Sequence, residues 1–389
     1  MSEISKRLFM PEIALFSVIL FLVEFVRGAA LVSFLPVFGQ KTLGLNFDVI
    51  GIAITAHYLT DTALKMGIGA LLDRFSIRFV VHVGLLTSLA GIALLQFAYS
   101  PWLFIVASAL YGVGISPIWI VCLTRVSEEK RATQMGYLYT IWLVGLGAGP
   151  VVCNFIIDHS ISATYYILLA MSALCWLLSL FISGEKAANV VSLPIREQFK
   201  VLGERLRHTK LLLPGMILQT GGAGMLVPIL PSFAENRLGL SGAQYSLLLL
   251  AGGACTAAGL IPFGRLSDRL GGKKWFLVFG FVFIGVALYL LSTEPSIGIS
   301  IALAGLLGLS YAALLPAWNA LIANYVPPQQ AGLGWGIFST VEGIGGMLGP
   351  VVGGVLAASM GEPSVVLYSA VLYGVIGFFY IWFPFRSFT

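Results

Sequence analysis

Five ionisable side chains lie inside the two long apolar stretches nearest the N-terminus. Glu24 and Arg27 are three residues apart in the first stretch, which puts them on one face of a helix. His57, Asp61 and Lys65 follow one another at four-residue steps in the second stretch, so they also share one face. If these stretches cross a membrane, each ionised group costs roughly 2.5–3.5 kcal/mol at mid-membrane. Residues of this kind are typical of a buried binding or proton site.

Structural interpretations stay open beside the functional one. Glu24 and Arg27 could form a purely structural pair, because mutual neutralisation lowers the cost of burial. Asp61 and Lys65 could pair in the same way, which would leave Asp61 less free to carry a proton. No second group of ligands accompanies His57, so a hydrogen-bonded helix residue is a better interpretation than a metal ligand. The sequence therefore predicts no metal site and no cofactor.

Two tryptophans add aromatic faces to the same part of the chain. Trp119 follows Pro117 in one apolar stretch, and Trp142 lies in the next. They are either core residues or faces on which a sugar ring stacks. The C-terminal part of the chain has few interior polar groups: Gln219, Asn319 and Glu342. Glu342 is either a second protonatable site or part of a pair with the N-terminal half.

The elements that position these residues follow from composition. The chain has 389 residues, of which 58% are hydrophobic and only 10% are charged. Soluble domains contain roughly 25% charged residues, which excludes a soluble enzyme, a nucleic-acid-binding domain and a disordered chain. A membrane-crossing helix needs roughly 20 apolar residues. We therefore predict an all-α polytopic membrane protein with twelve transmembrane helices in two pseudo-symmetric six-helix halves.

Apolar runs separated by short polar turns mark the twelve predicted spans. Those of the N-terminal half, 1–183, lie near 11–39, 47–72, 79–98, 102–124, 133–157 and 163–183. Those of the C-terminal half, 211–389, lie near 211–236, 241–267, 275–292, 297–325, 330–357 and 364–384. The charged segment 184–210 is predicted to be a cytoplasmic linker, and its part 194–208 is compatible with an amphipathic helix on the membrane surface.

The distribution of basic residues predicts the orientation. With both termini in the cytoplasm, 18 of the 22 Lys and Arg residues lie on the cytoplasmic side. Only Lys41 and Arg237 lie outside, which satisfies the positive-inside rule. The first apolar run is too long for the core of a signal peptide, so we interpret it as an uncleaved first span. A multi-pass protein of the bacterial cell (plasma) membrane is expected.

The two halves repeat each other at offsets of 195–200 residues. Three pairs of segments carry the repeat: 69–78 with 264–274, 116–119 with 315–318, and 149–152 with 349–352. In the first pair, a glycine permits close helix approach, and an Asp-Arg turn supplies charge pairs and helix caps at the cytoplasmic face. We expect these residues to stabilise one conformer and to release in another: Gly69, Asp73 and Arg74, and in the second half Gly264, Asp268 and Arg269.

The ionisable side chains inside the predicted spans are unevenly divided between the two halves. A cavity lined by both would be charged on its N-terminal side and largely apolar on its C-terminal side. A sugar or a drug alone does not need this asymmetry. An amphiphile does, because its head group suits the charged half and its acyl chains suit the apolar half. The sequence therefore favours an amphiphilic substrate.

The G-x-x-x-D-R pattern between spans two and three resembles the signature loop of the major facilitator superfamily. Gly145-x-x-x-Gly149-Pro150 resembles the span-five antiporter motif of its drug-exporter branch. The resemblance covers the whole chain. It implies alternating access, in which the two halves rock about a central site and Gly149 and Pro150 take part in conformational gating.

Four segments are similar to the glycolipid flippases that supply the lipoteichoic acid anchor in Gram-positive bacteria: 21–28, 116–120, 128–139 and 314–319. This resemblance implies exchange of protons for a diglucosyl-diacylglycerol-type glycolipid, moved from the inner to the outer leaflet. Glu24, Arg27 and Asp61 would form the charged head-group and proton site, and Trp119 and Trp142 would line the sugar pocket. The lipid tails would bind the apolar half. Enzymes of lipoteichoic acid synthesis are expected partners, and nucleic acid is not.

Two other functions are kept open at this point. A proton-driven multidrug exporter would also use Gly149, Pro150 and the acidic intramembrane residues. An intramembrane enzyme or receptor built on His57 and Asp61 is disfavoured, because the sequence has no HExxH, GxSxG or paired-aspartate signature.

Overall fold

The protein is described by a computed structural model that covers residues 11–124, 131–184, 197, 212–270, 273–323 and 331–382. Within these ranges the chain is helical and contains no β-strand. It forms two units, one of residues 1–45 and 52–200, the other of residues 46–51 and 201–389. The predicted amphipathic helix at 194–208 falls outside the described residues, apart from position 197.

The helices of the N-terminal half are α1 (Pro11–Ala29), α2 (Phe47–Arg74), α3 (Ile77–Leu94), α4 (Pro101–Gly112), α5 (Ile115–Thr124), α6 (Arg131–Ile157) and α7 (Ile161–Ser179). Those of the C-terminal half are α8 (Leu213–Leu226), α9 (Leu230–Asn236), α10 (Gly242–Leu270), α11 (Lys273–Leu291), α12 (Ile297–Ala323), α13 (Ala331–Met360) and α14 (Glu362–Trp382). These bounds agree with the predicted all-α architecture.

Serine hydroxyls begin three of the helices. Ser76 accepts a hydrogen bond from the N–H of the third residue after it at the start of α3. Ser100 and Ser160 do the same at the starts of α4 and α7. Each satisfies a backbone donor that the first helical turn leaves without a partner, a cap that contributes about 1 kcal/mol. The polar turns that separate the predicted spans therefore set the helix boundaries.

Ten helices of the described chain are long and apolar enough to cross a membrane, or eleven if the bent pair α8 and α9 counts as one span. Segments Ile13–Thr42 and Pro101–Cys122 each count as one of the ten. The remaining long helix is the 28-residue α2, which carries Asp61 and Lys65 within its apolar sequence. A helix that carries charges in its interior is the one expected to serve a site rather than the lipid.

Several spans are irregular where the sequence predicts continuous helices. After Ala29, α1 continues through two π-helical segments, Ala30–Phe34 and Phe38–Thr42. The helices α8 and α9 meet at 49° across a short break that contains Pro228. Proline removes a backbone donor and disfavours helix in the residue before it, which accounts for the break.

Equivalent helices of the two halves pack in the same way. In the first half α1 packs along α6, and in the second half α8 packs along α13. Gly149 lies against the carbonyl of Phe25, and Gly349 lies against the carbonyl of Gly221, so that a Cβ at either glycine would collide with backbone. The glycines of the repeated Gly-Pro segments therefore permit close helix contact.

A second repeated feature closes each half. Arg78, at the start of α3, donates from Nε to the carbonyl of Ile182 just beyond α7. Lys274, at the start of α11, donates from Nζ to the carbonyl of Ile381 in the last turn of α14 at 2.7 Å. In the first half His82 adds to this contact, because its ring lies 2.8 Å from the hydroxyl of Ser179. Basic groups at helix C-termini satisfy the last carbonyls and oppose the helix dipole favourably.

Candidate functional site

Three charged side chains of the first half meet between α1 and α2. Arg27 Nη1 lies 3.5 Å from Glu24 Oε2, one turn before it in α1. Arg27 Nη2 lies 3.4 Å from Asp61 Oδ2 in α2. Both carboxylates are 1% exposed and the arginine is 12% exposed. We call Glu24, Arg27 and Asp61 the charged cluster.

Neutral groups of two helices complete the surroundings of the charged cluster. The hydroxyl of Ser116, at the start of α5, donates to Asp61 Oδ1. The guanidinium carbon of Arg27 lies 5.4 Å from the centre of the Tyr58 ring, which is a cation–π distance. Asp61 is therefore held by a cation from α1 and a hydroxyl from α5. Through these contacts one carboxylate connects three helices.

His57 is fully buried one turn before Asp61. Its ring packs against Tyr111 of α4 at 4.8 Å and meets the edge of Tyr58 at 5.6 Å. Gly112 allows α4 to approach the backbone carbonyl of His57. Among the described residues no group of three His, Cys, Asp or Glu side chains could hold a metal ion. His57 lies in an aromatic layer beside the charged cluster.

Of the other residues predicted for the first half, the structure describes the side chains of some but not of all. Trp119 lies in α5 and is partly exposed, packed against the core of its half. Trp142 lies in α6 and is also partly exposed. Lys65 lies in α2, but its side chain is outside the described residues, so the Asp61–Lys65 pair stays an expectation. Among the described residues, the cation that contacts Asp61 is Arg27.

In the second half Glu342 of α13 is the centre of a smaller polar group. Its Oε1 accepts a hydrogen bond from Trp318 Nε1 of α12 at 2.7 Å and from Gln219 Nε2 of α8 at 3.2 Å. The hydroxyl of Thr220 donates to the Glu342 backbone carbonyl at 2.6 Å. Asn319, which the sequence suggested for this half, is exposed. Its neighbour Trp318, almost fully buried, makes the contact instead.

The residues predicted to control conformation lie at helix ends and at helix contacts. Arg74 and Arg269 are exposed in the last turns of α2 and α10. Gly69 and Gly264 lie within the same two helices. The side chains of Asp73 and Asp268 are outside the described residues, so charge pairing at either turn stays a prediction. Gly149 and Pro150 are buried in α6, where they pack against α1.

The sequence predicts the principal charged residues of the site but not all of the residues that contact them. Ser116 and Tyr58 were not assigned to the site, although Ser116 begins the segment that includes Trp119. Trp318 was likewise passed over for Asn319. The 199-residue offset between Trp119 and Trp318 was the available signal, because it places the two tryptophans at equivalent positions of the two halves.

The charged cluster has two carboxylates for one guanidinium. When all three groups are ionised, it carries one excess negative charge in a low-dielectric environment. Uptake of one proton by a carboxylate removes this excess. Arg27 Nε is a buried donor that finds no acceptor within the described parts of the chain. The geometry can therefore bind a proton, and it also offers a hydrogen-bond donor to a polar ligand.

The structure thus defines a polytopic helical membrane protein of two repeated units with a buried charged cluster, the arrangement of a secondary transporter. The family model of the Major Facilitator Superfamily matches residues 16–214 and 212–388, and the chain belongs to this family. The crystal structure of the nucleoside transporter NupG has the same fold. Its TM-score is 0.78 at 14% identity, with 95% of this chain and 98% of that chain covered.

Proteins named proton-coupled antiporter flippase LtaA are similar along nearly the whole chain. The protein of Staphylococcus saprophyticus is 32% identical over 367 residues, covering 93% of this chain and 92% of the relative. The protein of Staphylococcus epidermidis is 31% identical over 370 residues with the same two coverages. The protein of Staphylococcus aureus strain N315 is 30% identical over 367 residues, again with 93% and 92% covered.

Proposed function

We propose that this protein is a proton-coupled antiporter flippase that moves a diglucosyl-diacylglycerol-type glycolipid from the inner to the outer leaflet. The observation that carries the proposal is the buried charged cluster of the first half, Glu24, Arg27 and Asp61. The relatives named as proton-coupled antiporter flippases support the proposal, since they resemble this chain over 93% of its length.

The division of polarity between the halves supports an amphiphilic substrate. The charged cluster offers a guanidinium with one donor that the described residues do not satisfy, which suits the hydroxyls of a sugar head group. Trp119 and Trp142, both partly exposed, would stack on the sugar rings. The second half, whose main interior polar groups are Gln219, Asn319 and Glu342, would take the acyl chains.

Proton coupling follows from the charge balance of the cluster. With both carboxylates ionised, the cluster attracts a proton. While Asp61 is ionised, the cluster offers carboxylate acceptors as well as Arg27 donors to the hydroxyls of the head group. Uptake of a proton by Asp61 removes acceptor capacity and favours release of the lipid, so that proton and lipid occupy the site in turn, as antiport requires. His57, packed beside Asp61, would hold this part of α2 in place.

The proposed setting is the bacterial plasma membrane, with both termini in the cytoplasm and enzymes of lipoteichoic acid synthesis as partners. The two halves would alternate access, with Gly149 and Pro150 and the two Asp-Arg turns controlling the exchange of conformers. The basic residues of the predicted cytoplasmic loops support this orientation.

The experiment that tests the proposal is transfer of labelled diglucosyl-diacylglycerol across the membrane of proteoliposomes, with and without an imposed pH gradient. We expect protein-dependent transfer that the gradient accelerates. Transfer at a rate that does not depend on the gradient would support the glycolipid as substrate and refute proton coupling. No transfer by folded protein would reject the glycolipid.

Asp61→Asn separates coupling from folding in the same assay. We expect this variant to lose gradient acceleration at least 10-fold, because an amide cannot exchange a proton, while it keeps the shape of the carboxylate. Asp48→Asn, in the first turn of the same helix, is the matched control and should transport as the parent does. Gradient acceleration that survives Asp61→Asn would show that Asp61 is not the coupling residue.

A proton-driven drug exporter is the second candidate. The packing of Gly149 against α1 favours it, since this glycine and Pro150 form the motif that resembles the antiporter motif of drug exporters. Dye efflux from proteoliposomes that show no glycolipid transfer would support this candidate.

A further inference from the structure

The internal repeat assigns a counterpart in the second half to three residues of the site in the first. Gly145 of α6 lies against the Phe21 carbonyl and Cβ of Glu24 in α1. At an offset of 200 residues, Gly345 of α13 lies against the carbonyl of Ile217 and the hydroxyl of Thr220 in α8. Glu24 therefore corresponds to Thr220, at an offset of 196 residues.

The offsets of the repeat also pair the two tryptophans of the first half with residues of the second half. Trp119 corresponds to Trp318 at an offset of 199. Trp142 corresponds to Glu342 at the offset of 200 that also relates the two Gly-Pro segments. In the second half the carboxylate therefore lies on the helix equivalent to α6 and not on the helix equivalent to α1. Glu342 occupies the counterpart of Trp142, which is proposed to stack on the sugar.

Within the part of the chain that the structure describes, the hydrogen bonds to the Glu342 side chain come from neutral donors. Its Oε1 accepts from Trp318 Nε1 and Gln219 Nε2, which are contributed by two different helices. The side chain is partly exposed, and both of these hydrogen bonds go to Oε1. In the charged cluster a guanidinium lies within 3.5 Å of each carboxylate. Across the described residues no basic group forms an ion pair with Glu342.

The other groups that the structure describes near Glu342 are also uncharged. Tyr311 of α12 is close enough to interact electrostatically with the carboxylate, and Tyr373 of α14 interacts with Tyr311 in turn. The Tyr373 hydroxyl donates to the backbone carbonyl of Gln219 at 2.6 Å. On α8 the facing groups are Gln219 and Thr220, both neutral. Among the described residues, an ionised Glu342 therefore has hydrogen bonds but no compensating charge, and a proton on Oε2 neutralises it.

We propose that Glu342, held by Gln219 and Trp318, is a second proton-binding site of this transporter, separate from the charged cluster. The site takes one proton on Oε2 and retains both hydrogen bonds to Oε1. Its role in transport rests on the proposed function, whereas proton binding itself can be measured without a substrate. Failure of the second proton site can therefore be distinguished from failure of the proposed function.

Infrared difference spectroscopy of the purified full-length protein tests proton binding directly. Spectra recorded as the pH is lowered show the carbonyl band of each carboxyl group that becomes protonated. We expect Glu342→Gln to remove one such band and Glu342→Asp to retain it at a shifted frequency. The matched control is Glu362→Gln, because Glu362 is a carboxylate of the same half that does have a cation, Arg237 Nε at 3.4 Å.

The outcomes decide the proposal. Loss of a band in Glu342→Gln, with that band intact in Glu362→Gln, supports it. An unchanged set of bands in folded Glu342→Gln overturns it, because Glu342 would then keep one protonation state throughout the titration. Retention in Glu342→Asp shows that any loss follows from the missing carboxyl group and not from misfolding.

Proton flux per lipid provides the transport readout. Proteoliposomes that contain a pH-sensitive dye report protons moved, and the labelled glycolipid reports substrate moved. If each site contributes one proton, Glu342→Gln lowers the ratio about twofold. An unchanged ratio overturns a coupling role for Glu342. A glycolipid assay that fails for the parent protein rejects the proposed function and leaves the infrared result standing.

Discussion

Replacement of Arg27 by glutamine tests whether one guanidinium neutralises two buried carboxylates. Opposite unit charges separated by 3.4 Å, as in the Arg27–Asp61 pair, attract by about 5 kcal/mol at an effective dielectric constant of ~20. Desolvation cancels part of this energy, and loss of one partner from a buried pair usually costs about 3–5 kcal/mol. Both Arg27 contacts are longer than a strong charge-assisted hydrogen bond, so we expect Arg27→Gln to lose about 3 kcal/mol of unfolding free energy.

The measurement is equilibrium unfolding of the purified protein in mixed micelles by a denaturing detergent, followed by tryptophan fluorescence. Arg237→Gln is the control, because Arg237 also contacts two carboxylates but is 43% exposed. Exposed pairs contribute less than about 1 kcal/mol. Adding Asp61→Asn to Arg27→Gln should recover about 1–2 kcal/mol, since it removes one of the two carboxylates left without a cation.

Equal stability losses in Arg27→Gln and Arg237→Gln would refute this reasoning. The carboxylates would then be neutralised by another group. Lys65, one turn after Asp61 in α2, is the residue whose replacement should then show the missing loss.

Two further predictions concern the packing of the repeat. Gly149→Ala should lose about 1–3 kcal/mol, because its Cβ collides with the carbonyl of Phe25. Gly147→Ala, with open space around it, should gain roughly 0.5–1 kcal/mol from helix propensity. Unfolding in the same detergent assay measures both changes in free energy. Changes of the same sign in the two variants would contradict the packing argument. Lys274→Met should lose about 1 kcal/mol, because the hydrogen bond to Ile381 disappears while the apolar stem remains. An equal loss in Arg265→Met, at an exposed position of α10, would show that the effect comes from charge and not from this contact.

The predicted class of fold is confirmed, and the reason lies in patterns that act along the chain. Apolar runs, polar turns and repeated Gly-Pro segments depend on local sequence, so the helices could be placed within a few residues. The breaks in the helices were harder to foresee. The π-helical turns Ala30–Phe34 and Phe38–Thr42 follow from how one helix packs on others, which no local pattern encodes.

Contacts between helices limited the prediction of the site. The spacing of Glu24 and Arg27 predicts their contact, because one turn of a helix brings them together. The second partner of Arg27 depends on how α1 is rotated against α2, which the sequence alone does not specify. Asn319 and Trp318 illustrate the same limit, since consecutive residues point about 100° apart on a helix. Only packing decides which of the two faces Glu342.

The contacts that close each half have a consequence for synthesis of the protein. Arg78 and His82, near the start of α3, find their partners Ile182 and Ser179 at the end of the sixth span of the same half. Every residue in this closing contact is therefore already made when translation reaches the linker. The first six spans can assemble as a finished bundle in the membrane while the ribosome is still producing the second half, and Lys274 with Ile381 then repeats the step for the remaining six.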